Sequence, residues 1–218
     1  SGRPIPVTLA VAHLAAAAAS VADYEPLDVL PAALIAVTLA FYLAGLARRA
    51  APRAQVVGCL LGLLLLAGAL FGPVHARAES SFAWHMLQHE MLMVVAAPLL
   101  VIAHPLPVLL RGFPPRWRRL AIAPWRGTRW RTTWRWLRAP GPATLAHAVA
   151  LWAWHLPAAF VAAREAGALH ALQHASFLLT ALLFWRAMAR AGPPALLWLF
   201  LTMLHTTALG TLLTLASR

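Results

Sequence analysis

Long apolar runs separated by short polar loops constrain this chain more than any other feature. A helix that crosses a bilayer needs about 20 predominantly apolar residues. Seven stretches meet or approach that length: 4–22, 27–47, 55–72, 84–110, 143–163, 169–188 and 194–216. The third is short, and the fourth is long and contains Pro98, Pro105 and Pro107, which predicts a kink or an end near His104. Only 11% of the residues are charged and 61% are hydrophobic, against about 25% charged in soluble domains. The expected fold is therefore all-α, a polytopic transmembrane helix bundle of about seven spans in a single domain, 1–218. The lone cysteine, Cys59, lies inside an apolar run. It reads as a small core residue, and no intrachain disulfide or cysteine-based metal site follows from it.

The net charge is +12, carried entirely by arginine. A strongly basic chain raises the question of nucleic acid, but here the arginines cluster between apolar spans, where topology and anionic lipid explain them better. Arg48, Arg49 and Arg53 separate the second and third spans, nine arginines lie between Arg111 and Arg138, and Arg186 and Arg190 follow the sixth span. The alternate loops hold Asp23, Glu25 and Asp28, then Arg77 with Glu79, then Arg164 with Glu165. The positive-inside rule makes the arginine-rich loops cytoplasmic. The first span has two readings: a retained helix, or a signal-like segment in which Arg3 and an apolar stretch lead to Ser20-Val21-Ala22.

Segment 111–138 differs in kind. Its arginines are interleaved with Trp117, Trp125, Trp130, Trp134 and Trp136 and broken by Pro114, Pro115, Pro124 and Gly127. Such a pattern can stack on single-stranded nucleic acid. Between two spans it is better read as a basic, Trp-rich cytoplasmic segment lying in the headgroup layer, with Arg116, Arg118, Arg119, Trp117, Trp130 and Trp134 at the lipid interface. Anionic lipid, not nucleic acid, is the expected partner there.

The histidines carry the chemistry. His85 and His89 open the fourth span, and His170 and His174 open the sixth. Each pair is spaced i, i+4, which puts both rings on one helical face about 6 Å apart along the axis, within reach of a shared metal. His85-Met86-Leu87-Gln88-His89 also matches His170-Ala171-Leu172-Gln173-His174 at four of five positions. A parallel internal repeat, relating spans three and four to spans five and six about an axis along the membrane normal, accounts for this. On straight helices His89 and His174 lie about 6–8 Å deep, His155 about 12 Å and His205 about 16 Å, with His85 and His170 at the mouth. Ionisable residues inside a bilayer are costly, so six of them graded from one surface make a functional candidate, the alternative being hydrogen bonds to neighbouring helices.

Met86, Glu90 and Met93 lie beside the His85/His89 face, and Met203 precedes His205. They are secondary candidates. Thioether and imidazole donors together suit Cu(I) better than hard cations, although a methionine stripe also serves core packing. His89-Glu90-Met91-Leu92-Met93 begins like a zinc-protease motif, but Met93 stands where the second histidine is required. His13, His75, His104 and His147 read as structural or solvated.

Several stretches resemble a known family. Trp84 to His89 with Ala97-Pro98-Leu99-Leu100, Trp154-His155-Leu156-Pro157, Leu169-His170 to His174 with Phe177, Phe184-Trp185, and His205-Thr206-Thr207-Ala208-Leu209-Gly210 are similar in order and spacing to the multi-spanning cytochrome c oxidase assembly factors (CtaG type, associated with caa-type oxidases). The likeness covers roughly 24–216. It implies a multi-pass protein of the bacterial inner membrane that helps mature a haem–copper oxidase by handling copper. Its metal ligands would be His85, His89, His155, His170, His174 and His205. Its partners would be an oxidase subunit and a periplasmic copper donor, with the oligomeric state open. Members usually continue with an outer loop and another span, whereas this chain ends at Ser217-Arg218. The resemblance then implies a shortened form, or that a ligand or docking surface of that hairpin is missing. With no nucleophile, base and oxyanion constellation, an enzyme is not expected. The alternatives are a bis-histidine haem protein and a metal or proton transporter.

Overall fold

The computed structural model describes residues 26–123 and 127–216. The first predicted span, 4–22, lies outside them. All regular structure among the described residues is helical. In chain order it comprises α1 (Pro26–Arg48), α2 (Arg53–Leu70), α3 (Pro73–Ala78), α4 (Phe82–Glu90), a π-helical turn (Met91–Ala96), α5 (Ala97–Ala103), α6 (Leu106–Gly112), α7 (Pro115–Ile122), α8 (Thr128–Leu137), α9 (Pro140–Trp154), α10 (Pro157–Glu165), α11 (Gly167–Ala191) and α12 (Ala195–Ala216). Five helical segments are long and apolar enough to cross a membrane, and α9 with α10 makes a sixth if that broken pair is one span. These six correspond to the six predicted spans that fall within the described residues. The chain is thus a helical bundle built for a bilayer, and large apolar side chains such as Leu64, Ile102, Leu179 and Leu196 face outward from it.

Two of the predicted spans are not single straight helices. The fourth ends at Ala103, where His104 takes a left-handed conformation (φ 46°) and α6 sets off separately after Pro105. The fifth bends by 74° between Trp154 and Pro157. A proline has no N–H and its ring crowds the preceding turn, so Pro157 starts a new helix rather than continuing the old one. The depth inferred for His155 from a straight span therefore does not hold, because this residue sits at the corner.

The internal repeat extends well beyond the five-residue motif. His85 and His170 are 85 residues apart. Shifted by about that spacing, α2 falls on α9, α3 on α10, and the first residue of α4 on the first residue of α11. In both halves a long helix breaks near one end, a short helix follows, and a helix bearing His-x-Leu-Gln-His turns back into the bundle.

The helices approach closely where glycine allows it. Gly58 and Gly62 lie one turn apart on α2 and face Ala103 and Leu100 of α5, the small-xxx-small packing that serves where lipid leaves no hydrophobic drive between helices. At Gly45 a Cβ would collide with the Val108 carbonyl, and at Gly112 with that of Phe41. These two glycines bring α1 and α6 into backbone contact, and the Phe41 and Phe113 rings stack at 4.0 Å beside them. Cys59, 1% exposed, packs there with Tyr42, Leu63, Ala103 and Val108.

The two ends of the bundle differ in charge. At one end Arg48 donates to the carbonyl oxygens of Arg111 and Phe113, and Arg186 bonds His104 at 2.8 Å. At the other, Arg164 reaches the Glu79 carbonyl and Phe82 meets Phe160 edge-on, which joins the loops of the two repeats. The predicted interfacial segment forms two short helices, α7 and α8. Arg116, Trp117, Arg118, Arg119 and Trp130 are exposed, and Trp134 is half-buried and stacks on Trp130 at 6.4 Å.

Candidate metal centre

The two repeated motifs meet. α4 and α11 enter the bundle from the end opposite the arginine cluster, and their i, i+4 spacing turns each histidine pair toward the other. The four rings close a circuit: His85 to His89 at 4.4 Å, His89 to His174 at 5.1 Å, His174 to His170 at 4.3 Å and His170 to His85 at 5.5 Å between centroids. His85 and His170 form the layer nearer the end, His89 and His174 the layer beneath.

His155 is the third contributor, placed by the corner between α9 and α10. Its ring lies 6.3 Å from His89 and stacks on Phe177. Its Nδ1 contacts the Leu151 carbonyl oxygen at 2.7 Å. A carbonyl only accepts, so Nδ1 donates to it, and Nε2 is the nitrogen left to face the cluster. An imidazole whose far nitrogen is anchored to a carbonyl is the form that metal-binding histidines take.

Burial leaves this cluster short of partners. His85, His89 and His174 are 6%, 2% and 9% exposed. Nε2 of His85, both ring nitrogens of His89 and Nε2 of His174 have no hydrogen-bond partner. Buried polar groups almost always find one, and several failing together at one place call for a specific cause. A shared ion is such a cause. Two imidazoles bound to one metal at about 2.0 Å per bond hold their centroids about 5–6 Å apart. The cross-helix pairs at 5.1 and 5.5 Å meet that spacing. In the rotamers present, no three His, Cys, Asp or Glu side chains among the described residues converge to ligand distance. A metal shared by three of these side chains would need the rings to reorient.

The remaining candidates are spread more widely. His205 on α12 has both ring nitrogens buried and unpartnered, yet no ring contact joins it to the other five. Met93 is buried against Leu92, Phe177 and Ala181 in the core below. Met86 is half-buried, Met203 is 58% exposed, and Glu90 is exposed. Glu90 lies beside the His85/His89 face, as its spacing predicts: successive residues of an α-helix are 100° apart, and the step past His89 leaves Glu90 exposed.

His75, read from sequence as structural or solvated, belongs to the neighbourhood of the cluster. It lies 6.4 Å from His170, its Nδ1 meets Gln88 Nε2 at 3.1 Å, and its Nε2 is 3.9 Å from Glu79. Gln88, fully buried, also donates to the Ala69 carbonyl at 2.7 Å. The signal in sequence was the repeated glutamine itself, a polar residue next to a ligand candidate in both motifs. His147, by contrast, bonds Thr180 at 3.0 Å and stacks on Phe184.

The sequence model of the cytochrome c oxidase caa3 assembly factors matches residues 38–218, and so takes in every histidine of the cluster. No curated relative and no solved structure matches the chain.

Proposed function

Because the chain belongs to the cytochrome c oxidase caa3 assembly factor family, and so to proteins of oxidase maturation, we propose that its part in that process is to hold copper and pass it on. His85, His89, His170 and His174 are the holding residues, with His155 beside them. The observation that carries this reading is the closed circuit of four imidazoles with unpartnered nitrogens of His85, His89 and His174 buried inside it. Neutral imidazole suits copper well, and stacked layers of donors allow an ion to move by ligand exchange without becoming bare.

By the positive-inside rule the arginine-rich end faces the cytoplasm, which puts the cluster on the periplasmic side of a bacterial inner membrane. The copper donor and the receiving oxidase subunit would meet it there. Copper is cargo in this scheme, and the protein is an assembly factor rather than an enzyme. Haem fits less well. A single bis-histidine haem would use two imidazoles, whereas four lie here in two paired layers, more than one such group needs.

The test is reconstitution of the purified protein with Cu(I) and measurement of bound metal. Retained copper that is lost on substituting His89 and His174 together supports the proposal. Wild-type protein that takes up none, or a double variant that binds as well, defeats it.

A further inference from the structure

The opposite end of the molecule carries a separate feature. Arg48 and Arg49 at the end of α1, Arg111 at the end of α6, and Phe113, Pro115 and Arg118 at the start of α7 line an open pocket of about 480 Å³, within the ~300–1,000 Å³ of small-ligand sites. Four guanidinium groups thus surround one space with no carboxylate in its lining. The chain has six acidic residues, Asp23, Glu25, Asp28, Glu79, Glu90 and Glu165, and not one falls in the segments 48–53, 111–138 or 186–190 that hold the arginines of this end. Arg48 is committed to the carbonyls of Arg111 and Phe113, which close the end of α6. Arg111 is half-buried, and its Nε is buried without a partner. Like charges gathered around a concavity, one of them partly desolvated, repel one another unless an anion sits among them.

We propose that this pocket binds the phosphate of an anionic phospholipid, with Arg49, Arg111 and Arg118 as its contacts and Arg48 as the residue that shapes it. The shared chemistry is a phosphate oxyanion held by guanidinium forks. A lipid is the source because the pocket opens where the apolar spans end and the exposed Trp117 and Leu120 of α7 begin. The stacked Phe41 and Phe113 supply an apolar wall beside the charges. Basic pockets between spans on the cytoplasmic side are suited to such headgroups. The site differs from a diffuse basic surface in having arginines from three helices converge on one space.

The full chain, delipidated in neutral detergent, is mixed with micelles containing equal phosphatidylglycerol and phosphatidylcholine, and retained lipid is counted by native mass spectrometry. Preferential retention of one phosphatidylglycerol is expected. Arg49→Gln with Arg118→Gln, both exposed positions, should weaken it about fivefold per arginine. Arg131→Gln with Arg135→Gln, an equal charge loss on α8, should change it less than about twofold, because those residues lie outside the pocket. Equal weakening by the two pairs would show diffuse attraction and overturn the site. Displacement of the lipid by millimolar inorganic phosphate would assign the pocket to a soluble anion and overturn the lipid. If the first pair melts below wild type, Arg49→Gln alone decides, with unchanged retention counting against the proposal.

Discussion

The indole N–H of Trp185 donates to the carbonyl oxygen of Met93 at 2.8 Å. The bond repairs a defect specific to this sequence. Through the π-helical turn each N–H reaches back five residues, as Ala97 does to Leu92, so the donor for Met93 would be residue 98. That residue is proline and has no N–H. The π turn lies directly below His89, and a widened turn shifts everything after it by about 100° relative to a regular helix. Trp185 thus helps to set the angle at which the His85/His89 pair stands against the deeper core.

Replacing Trp185 by Phe should cost about 1–3 kcal/mol, the penalty for a buried carbonyl left without a donor. Thermal melts in detergent measure it. Melting unchanged from wild type would mean that the bond contributes nothing.

The two halves of the repeat predict unequal costs for the same substitution. Gln88→Leu should destabilise by about 1–3 kcal/mol, since the Ala69 carbonyl and His75 both lose their partner. Gln173 is equally buried, but its amide has no hydrogen-bond partner. Gln173→Leu should be neutral or stabilising. Paired melting curves decide, and equal destabilisation would contradict the asymmetry.

Copper retention should discriminate among the histidines. His89→Ala or His174→Ala should each lower it about tenfold or more, as loss of one of few ligands does. His205→Ala, outside the ring circuit, should change it less than about twofold. Elemental analysis after reconstitution reads the result directly. A His205 variant as defective as the other two would extend the centre to α12.

Glycines give opposite signs according to their surroundings. Gly112→Ala drives a Cβ into the Phe41 carbonyl and should cost about 1–3 kcal/mol by forcing α1 from α6. Gly210, inside α12, has nothing within 4 Å of an added Cβ. Gly210→Ala should raise stability by up to about 1 kcal/mol through helix propensity. The melting temperatures should move in opposite directions.

Much of the architecture was legible in one dimension, because span length and i, i+4 spacing are periodic signals that need no tertiary information. Each of the six spans read from apolar runs between 27 and 216 has its counterpart in the structure. The end of the fourth span near His104 was announced by its prolines. The short Gln-containing motif pointed to a repeat that the helix boundaries then extended across both halves. The break at His155 was less legible: a single Pro157 in an apolar run marks a boundary but not a 74° bend, which depends on what α10 packs against. The exposure of Glu90 was not legible, because spacing from Met86 and Met93 says nothing of which side of the helix meets the bundle. The closeness of His75 to the cluster was not legible, because its partner, Gln88, is distant in the chain and close only after α3 folds back on α4.

By itself, then, the sequence determined a multi-spanning helical protein, a charge difference between its ends, and two matched histidine pairs on two helices. These are local properties, set by the free energy of apolar segments in lipid and by the pitch of a helix. Only the tertiary structure decided that the pairs face each other at 5.1 and 5.5 Å, that His155 joins them while His205 stands apart, and that four arginines from three helices share one pocket. Those relations depend on how helices rotate and approach one another. Here that depended on where a glycine lets two backbones touch and a proline removes a hydrogen bond.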